Sequence, residues 1–394
     1  MASEVNLFAT TYQELLSWCA ARDFAGHDPF DALNSRILRS TPLAKSKNAR
    51  FVWTQLVKRS PVDLRSVSLV PRQRNAKGLA LFALGLLANF RRRQTEETAT
   101  QARSILDDLL SSQLSGYSGA AWGYNFDWQS RHFFAPQGSA TIVPTAFAGR
   151  ALLEAAQAFG EAKYLDSARS VCNFILKDLP RSADSENEVC FSYAPQSDTQ
   201  IFNASLLAAE ILAGVYEATG EQALADWALR ATRFVVRQQN ANGSWAYGTN
   251  PNQAWVDNFH TAFVLFSLFR IIKSLSLESE FAKALEHGYD YWKTNFFLAD
   301  GWPKYYDDDP YPADAHAGAS AIVTFLELSE LDATATNRAA TIASWTIRNL
   351  RDQQGFFYYQ RRKFYTVRKP YMRWSQAWML YALGRLLELK VTAS

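Results

Sequence analysis

Three residue types that often announce a site are scarce here, for the 394-residue chain holds only three cysteines, three methionines and five histidines. Cys19, Cys172 and Cys190 are widely spaced and form no CxxC pair, so neither a disulfide framework nor a zinc centre is indicated. HExxH and HxxxH spacings are missing as well, which leaves no metal site and no cofactor motif to argue from. No apolar run approaches the ~18 residues of a membrane span. The first residues, MASEVNLFATTYQELLSW, lack a basic-then-apolar leader pattern. The expectation is a cytoplasmic protein without an integral membrane segment. Nor is there a charge excess: 41 basic and 38 acidic residues give a net charge of +3, too little for a global attraction to nucleic acid.

What the chain does have is aromatic side chains, 12 Trp, 17 Tyr and 26 Phe, many of them outside the apolar periodic segments. They recur in loops as WGY at 122–124, FSY at 191–193, WAY at 245–247, WPKY at 302–305 and FFYY at 356–359, at intervals of roughly 54 to 69 residues. Between them, 3.6-residue periodicity predicts helices in pairs, over 77–90 and 96–113, 143–160 and 162–179, 202–220 and 221–239, 258–275 and 279–296, and 314–330 and 336–354. A last helix, 375–389, has no downstream partner. The first member of each pair is apolar all round and the second amphipathic, the pattern of an inner and an outer helix. The reading is all-α: an (α/α)6 barrel, or toroid, of about six helical hairpins in one domain over 1–394. Segment 1–74 supplies the closing helices, through TTYQELLSWCAARD or NARFVWTQLVKR. An open α-solenoid is the structural rival.

In such a ring the aromatic loops and the inner-helix N-termini share one rim. That rim collects Asn75, Thr145, Asn203, Asp257, His260, Asp314, His316 and Gln376, each of which could also be an ordinary cap. His260 and His316 lie one repeat apart, and histidine with a carboxylate nearby suits acid–base work. Asp127, between Phe126 and Trp128, sits in an apolar setting that suits a general acid, unless Arg131 pairs with it. Asp127 with Asp257 could form the two-carboxylate arrangement of a glycosidase. Trp122, Tyr124, Trp128, Tyr193, Trp245, Tyr247, Trp255, Tyr305 and Trp374 are candidate sugar-stacking faces, and Arg131 and Arg373 candidate anion binders. The segment QRRKFYTVRKPYMRW, 360–374, interleaves cations with aromatics and is a candidate contact for an anionic ligand or an anionic lipid.

QNANGSW at 239–245 resembles the QxxxGxW repeat of terpenoid cyclases, and the arrangement is similar to the toroids of that class and of protein prenyltransferases. The acidic DxDD and DDxxD signatures of terpene chemistry are missing. WGYNFDWQSR, CFSYAPQ, NGSWAYG, WVDNFHT and MRWSQAWMLYAL together resemble a family of bacterial α/α-toroid proteins associated with exopolysaccharide and capsule biosynthesis. That resemblance implies an oligosaccharide or glycan precursor as ligand. The expected function is acid–base chemistry on it by Asp127, Asp257, His260 and His316, with hydrolysis slightly ahead of lyase or C5-epimerase action. A non-catalytic glycan-binding scaffold and a prenyl-chain enzyme are the alternatives; the oligomeric state is left open.

Overall fold

The computed structural model describes residues 2–129 and 134–392. Six helices form the inner ring: α5 (Ala76–Arg93), α7 (Ile142–Phe159), α9 (Phe202–Thr219), α11 (Asn258–Leu275), α13 (Ala315–Glu327) and α15 (Trp378–Thr392). Each packs on the next, and α15 returns to pack on α5, so the ring is closed and the open solenoid is excluded. Outside them lie α6 (Glu96–Ser111), α8 (Ala162–Lys177), α10 (Gln222–Arg237), α12 (Glu278–Asn295) and α14 (Ala335–Leu350). The sixth outer position is taken by α1 (Ala2–Ala20), which packs on α15. Of the two predicted closing helices, it is therefore TTYQELLSWCAARD that closes the ring.

The seam depends on two glycines. A Cβ on Gly384 would stand 2.8 Å from the Gly85 carbonyl oxygen, and one on Gly85 would stand 3.0 Å from the Leu380 backbone, so only glycine lets α5 and α15 approach this closely. Tyr12 of α1 donates its hydroxyl to the same Gly85 carbonyl at 3.2 Å, tying the outer helix to the seam.

The second predicted closing helix does something else. After α1 the chain runs through α2 (Arg36–Arg39), α3 (Lys47–Arg59) and α4 (Leu64–Val67), and this segment covers the rim where the inner helices begin. The last inner helix also departs from the reading, because a π-helical turn over Met372–Ala377 precedes it and widens the backbone at the rim.

The aromatic loops have a repeated backbone role. The first N–H of α7 donates to the Tyr193 carbonyl, that of α9 to Tyr247, that of α11 to Tyr305 and that of α13 to Tyr359. Helix N-termini leave N–H groups without helical partners. Here each is satisfied by the tyrosine loop of the following repeat, which locks consecutive repeats together and holds a row of tyrosines at one end of the barrel.

Candidate active site

Within that rim, under α3, lies a cavity of about 510 Å³. Its wall contains Tyr124, Trp128, Tyr193, Tyr247, Trp255 and Tyr305 from the segments between helices, and Asn203, His260, His316, Arg373 and Trp374 from the helix starts and the π-turn. Phe259 and Phe263 of α11 form part of the same wall. No Asp or Glu is among the described lining residues.

Asp257 stands behind this wall, not in it. As N-cap of α11 it accepts the His260 backbone N–H at 2.9 Å, and its other oxygen lies 2.7 Å from the His260 ring Nδ1. The same oxygen accepts the Trp255 indole N–H at 3.2 Å. A carboxylate at Nδ1 fixes the ring proton there and leaves Nε2 as the nitrogen that can take a proton from something in the cavity. The His260 ring is flanked by Tyr247, with centroids 4.6 Å apart, and Tyr247 stacks on Trp255 at 4.7 Å and 15°. A flat aromatic platform thus adjoins the one histidine of the wall that has a carboxylate partner.

His316 is built differently. It is buried, stacked on Phe259 at 4.6 Å and against Trp378 at 4.8 Å, with Trp374 edge-on at 4.4 Å. Neither ring nitrogen has a hydrogen-bond partner among the described residues. Burial, and then the nearby cations Lys77 and Arg373, push its imidazole well below the ordinary histidine range, so the ring is neutral. Asp314, one of the rim candidates, is the buried N-cap of α13, accepting the His316 and Ala317 backbone N–H groups, Gln360 Nε2 at 2.6 Å and Trp374 Nε1 at 3.0 Å. Burial raises its carboxyl to about 6 against these hydrogen bonds. Asp314 therefore sets the angle of the Trp374 wall and does not reach the cavity.

Besides the exposed Arg59, two buried basic side chains line the site, one of which sequence reasoning overlooked. Arg373 makes a bidentate pair with Asp28, at 2.6 and 2.8 Å, and both are buried. Lys77, only 2% exposed, carries its amine 4.4 Å from the Phe147 ring centre, 4.9 Å from Phe263 and 5.4 Å from Trp378. No ion pair of Lys77 occurs among the described residues. Burial, and secondarily Arg373, push its amine well below the usual lysine range. The overlooked signal was a lysine in the first turn of a helix otherwise apolar on every face.

Several expected site residues lie elsewhere. Asp127 is off the cavity: one oxygen pairs with Arg39 at 2.9 Å and the other accepts the Gln137 backbone N–H at 2.8 Å, so the carboxylate pins surface loops together. The expected Asp127–Asp257 pair does not form, since neither carboxylate faces the cavity. Trp122 is fully buried and donates its indole N–H to the Leu109 carbonyl at 2.8 Å; Trp245 does the same to Val235 at 2.9 Å. Both staple a loop to the end of an outer helix. Gln376 clasps the Phe357 backbone, N–H and carbonyl both at 2.7 Å. Thr145 and the Trp122 backbone make the equivalent clasp in another repeat. Arg131 lies outside the described residues.

The QxxxGxW resemblance acquires a physical meaning from the same packing. Gln239 donates to the Gly243 and Ala284 carbonyls, Gly243 has φ +91°, and a Cβ on Gly288 would stand 2.3 Å from the Trp245 ring. The motif pins neighbouring repeats and contributes nothing to the cavity wall.

No known family model matches the chain, and no curated protein matches its sequence. Solved structures do match its fold. Cellobiose 2-epimerase from Bacillus thermoamylovorans superposes with a TM-score of 0.65 at 13% identity, over 80% of this chain and 88% of that one. A family 76 α-mannanase from Bacteroides thetaiotaomicron gives 0.63 at 12%, over 80% and 87%. A D-mannose isomerase gives 0.61 at 14%, over 81% and 87%. At such identities the likeness establishes the (α/α)6 toroid and nothing finer.

Proposed function

We propose that this chain is a sugar-acting enzyme that moves a proton at the carbon beside a carbonyl group of a saccharide, as an isomerase or epimerase does. The observation that carries the reading is the Asp257–His260 dyad facing an aromatic cavity whose described lining holds no carboxylate. Glycoside hydrolysis by a carboxylate pair needs both groups at the scissile bond. Proton abstraction needs one base and a stabiliser for the oxyanion that forms.

In the proposed step His260 Nε2 takes the proton from the carbon next to the carbonyl. The electron pair of that C–H bond moves onto the carbonyl oxygen, giving an enediolate. Asp257 stabilises the resulting imidazolium, and Lys77 and Arg373 stand on the same wall as the cations for the enediolate oxygens. Passage of the hydroxyl proton from one enediolate oxygen to the other, with return to the neighbouring carbon of a proton that has exchanged with solvent on His260, gives the isomer. Return to the opposite face of the original carbon gives the epimer and needs a second group that has first taken up a proton; His316, neutral in this structure, is the candidate, becoming protonated against the developing charge of the enediolate. Tyr247 and Trp255 are the proposed stacking platform for a pyranose ring, Tyr124, Trp128, Tyr193 and Tyr305 further subsites, and Asn203 a hydroxyl ligand.

The likeness to an epimerase and an isomerase supports this chemistry, and the likeness to a mannanase supports the saccharide as ligand class. A role in exopolysaccharide or capsule assembly remains our proposal for its setting, resting on the motif resemblance. The test is product analysis of a panel of reducing oligosaccharides incubated with wild type, His260→Gln and His316→Gln. The account expects isomer or epimer formation that His260→Gln abolishes, and an epimerase would lose turnover in both variants. Chain shortening untouched by either variant would replace this reading with hydrolysis. Binding with no product at all would leave a glycan-binding protein.

A further inference from the structure

The basic residues of this nearly neutral chain are not spread evenly. Residues 35–74 hold ten Lys or Arg and one Asp, and residues 360–373 hold six Lys or Arg and no acid. The remaining 340 residues carry 25 basic and 37 acidic side chains. Three of these sixteen, Arg65, Lys369 and Arg373, are buried and so belong to the packing and the cavity; the other thirteen are at least partly exposed, and both segments meet at the rim. Tyr365 donates its hydroxyl to the Arg59 carbonyl at 3.3 Å, and Lys369 donates to the Val57 carbonyl at 3.1 Å.

The same segments expose apolar side chains. Of the fifteen exposed large hydrophobics among the described residues, seven lie in 37–69 and two more are Phe364 and Tyr365. Helix α3 lines the cavity with Phe51, Thr54 and Gln55, yet its outward stripe carries Val52 and Leu56, 61% and 50% exposed. They stand four residues apart on one helix face. Beside the end of α3 a tight turn between β-strands Gln360–Arg361 and Thr366–Val367, closed by the Arg362 N–H donating to the Tyr365 carbonyl, presents Phe364 at 88% exposure. Arg361, Arg362 and Lys363 lead into that tip.

We propose that this face, formed by the outer side of α3 and the 360–367 hairpin, docks on an anionic phospholipid surface and holds the mouth of the cavity against it. Charge complementarity names the partner, since a basic cluster around apolar tips matches a layer of phosphates over acyl chains. A soluble polyanion would answer the cations but offer no burial for Val52, Leu56 and Phe364. The inference is independent of the reaction in the cavity.

The test is co-sedimentation of the full chain with phosphatidylcholine–phosphatidylglycerol vesicles and with pure phosphatidylcholine vesicles, at low and high salt. Pelleting is expected only with the anionic vesicles, and weaker at high salt. Phe364→Asp and Leu56→Asp should each weaken it about tenfold or more while leaving the melting temperature unchanged, because both positions are exposed and the new charge meets the lipid phosphates. No pelleting by wild type, or pelleting that both variants leave intact, overturns the proposal. So does equally tight binding to soluble heparin that Phe364→Asp does not weaken, which would make the face a polyanion site.

Discussion

The two ends of the barrel use charge in opposite ways. At the far end every inner helix contributes to a ring of ions: Arg91 with Glu154 and Glu388, Arg150 with Glu210, Arg270 with Glu210 and Glu327, and Arg385 with Glu327 and Glu388. Four arginines face four glutamates, so the charges balance, although Arg150 Nη1 and Arg385 Nε lack hydrogen-bond partners among the described residues. At the rim, Lys77 sits among aromatic rings without an ion pair, and His316 and Asn203 Oδ1 lack partners among the described residues. Unpartnered polar atoms occur at both ends, so the difference lies in the charges: arginines paired with glutamates across the inner ring at one end, and at the other a buried lysine among aromatic rings with no ion pair among the described residues.

Breaking the comparison at its strongest point means removing the base. His260→Gln is expected to lower turnover by about 10²–10⁴-fold with little change in the melting temperature, checked by initial rates beside a thermal scan. Asp257→Asn should lower turnover similarly, because an amide can no longer hold the proton on Nδ1 and stabilise the imidazolium, and it should also weaken the cap of α11. At the far end the pattern reverses. Glu210→Ala strands Arg150 in a buried position and should cost about 3–5 kcal/mol in denaturant unfolding while leaving the rim chemistry in place.

Lys77→Met sharpens the contrast, since it should lower turnover and raise stability together. The sign follows from the depressed amine: the folded state releases its proton at lower pH than the unfolded chain does, so stability is full above the unfolded value near ~10.4 and is lost as pH falls through the folded one. At neutral pH the wild type therefore carries a penalty that methionine lacks, and the difference in melting temperature between the two should shrink as pH rises toward 10. The smallest effect is expected for Asp127→Asn, which loosens a partly exposed pair worth under about 1 kcal/mol and should leave turnover within about twofold of wild type.

The architecture was legible because it rests on periodicity: the inner–outer alternation and the aromatic loop repeat are visible in single segments, and the helix boundaries fell within a few residues of those observed. The cap was not legible as a cap, because α3 carries apolar residues on two faces, one lining the cavity and one outward, and no single-segment pattern says which is covered. In the site, tyrosines of the loops and the two histidines were placed at the cavity by register alone. Trp122 and Trp245 were not, since an indole in a loop can line a wall or staple a helix end, and only the carbonyl that meets its N–H decides. Asp127 was misread for a similar reason, its partner Arg39 lying 88 residues upstream. Lys77 was missed because a single charge in an apolar helix looks like a helix start until the rings around it are seen.

The central claim is that the rim cavity performs proton transfer on a saccharide through His260. The most direct measurement is mass spectrometry of reducing oligosaccharides recovered from heavy water after incubation with wild type and with His260→Gln. The account predicts a gain of deuterium at a carbon-bound position with wild type and none with the variant. Recovery of fully protonated sugar from wild type, or exchange that persists in the variant, would contradict it.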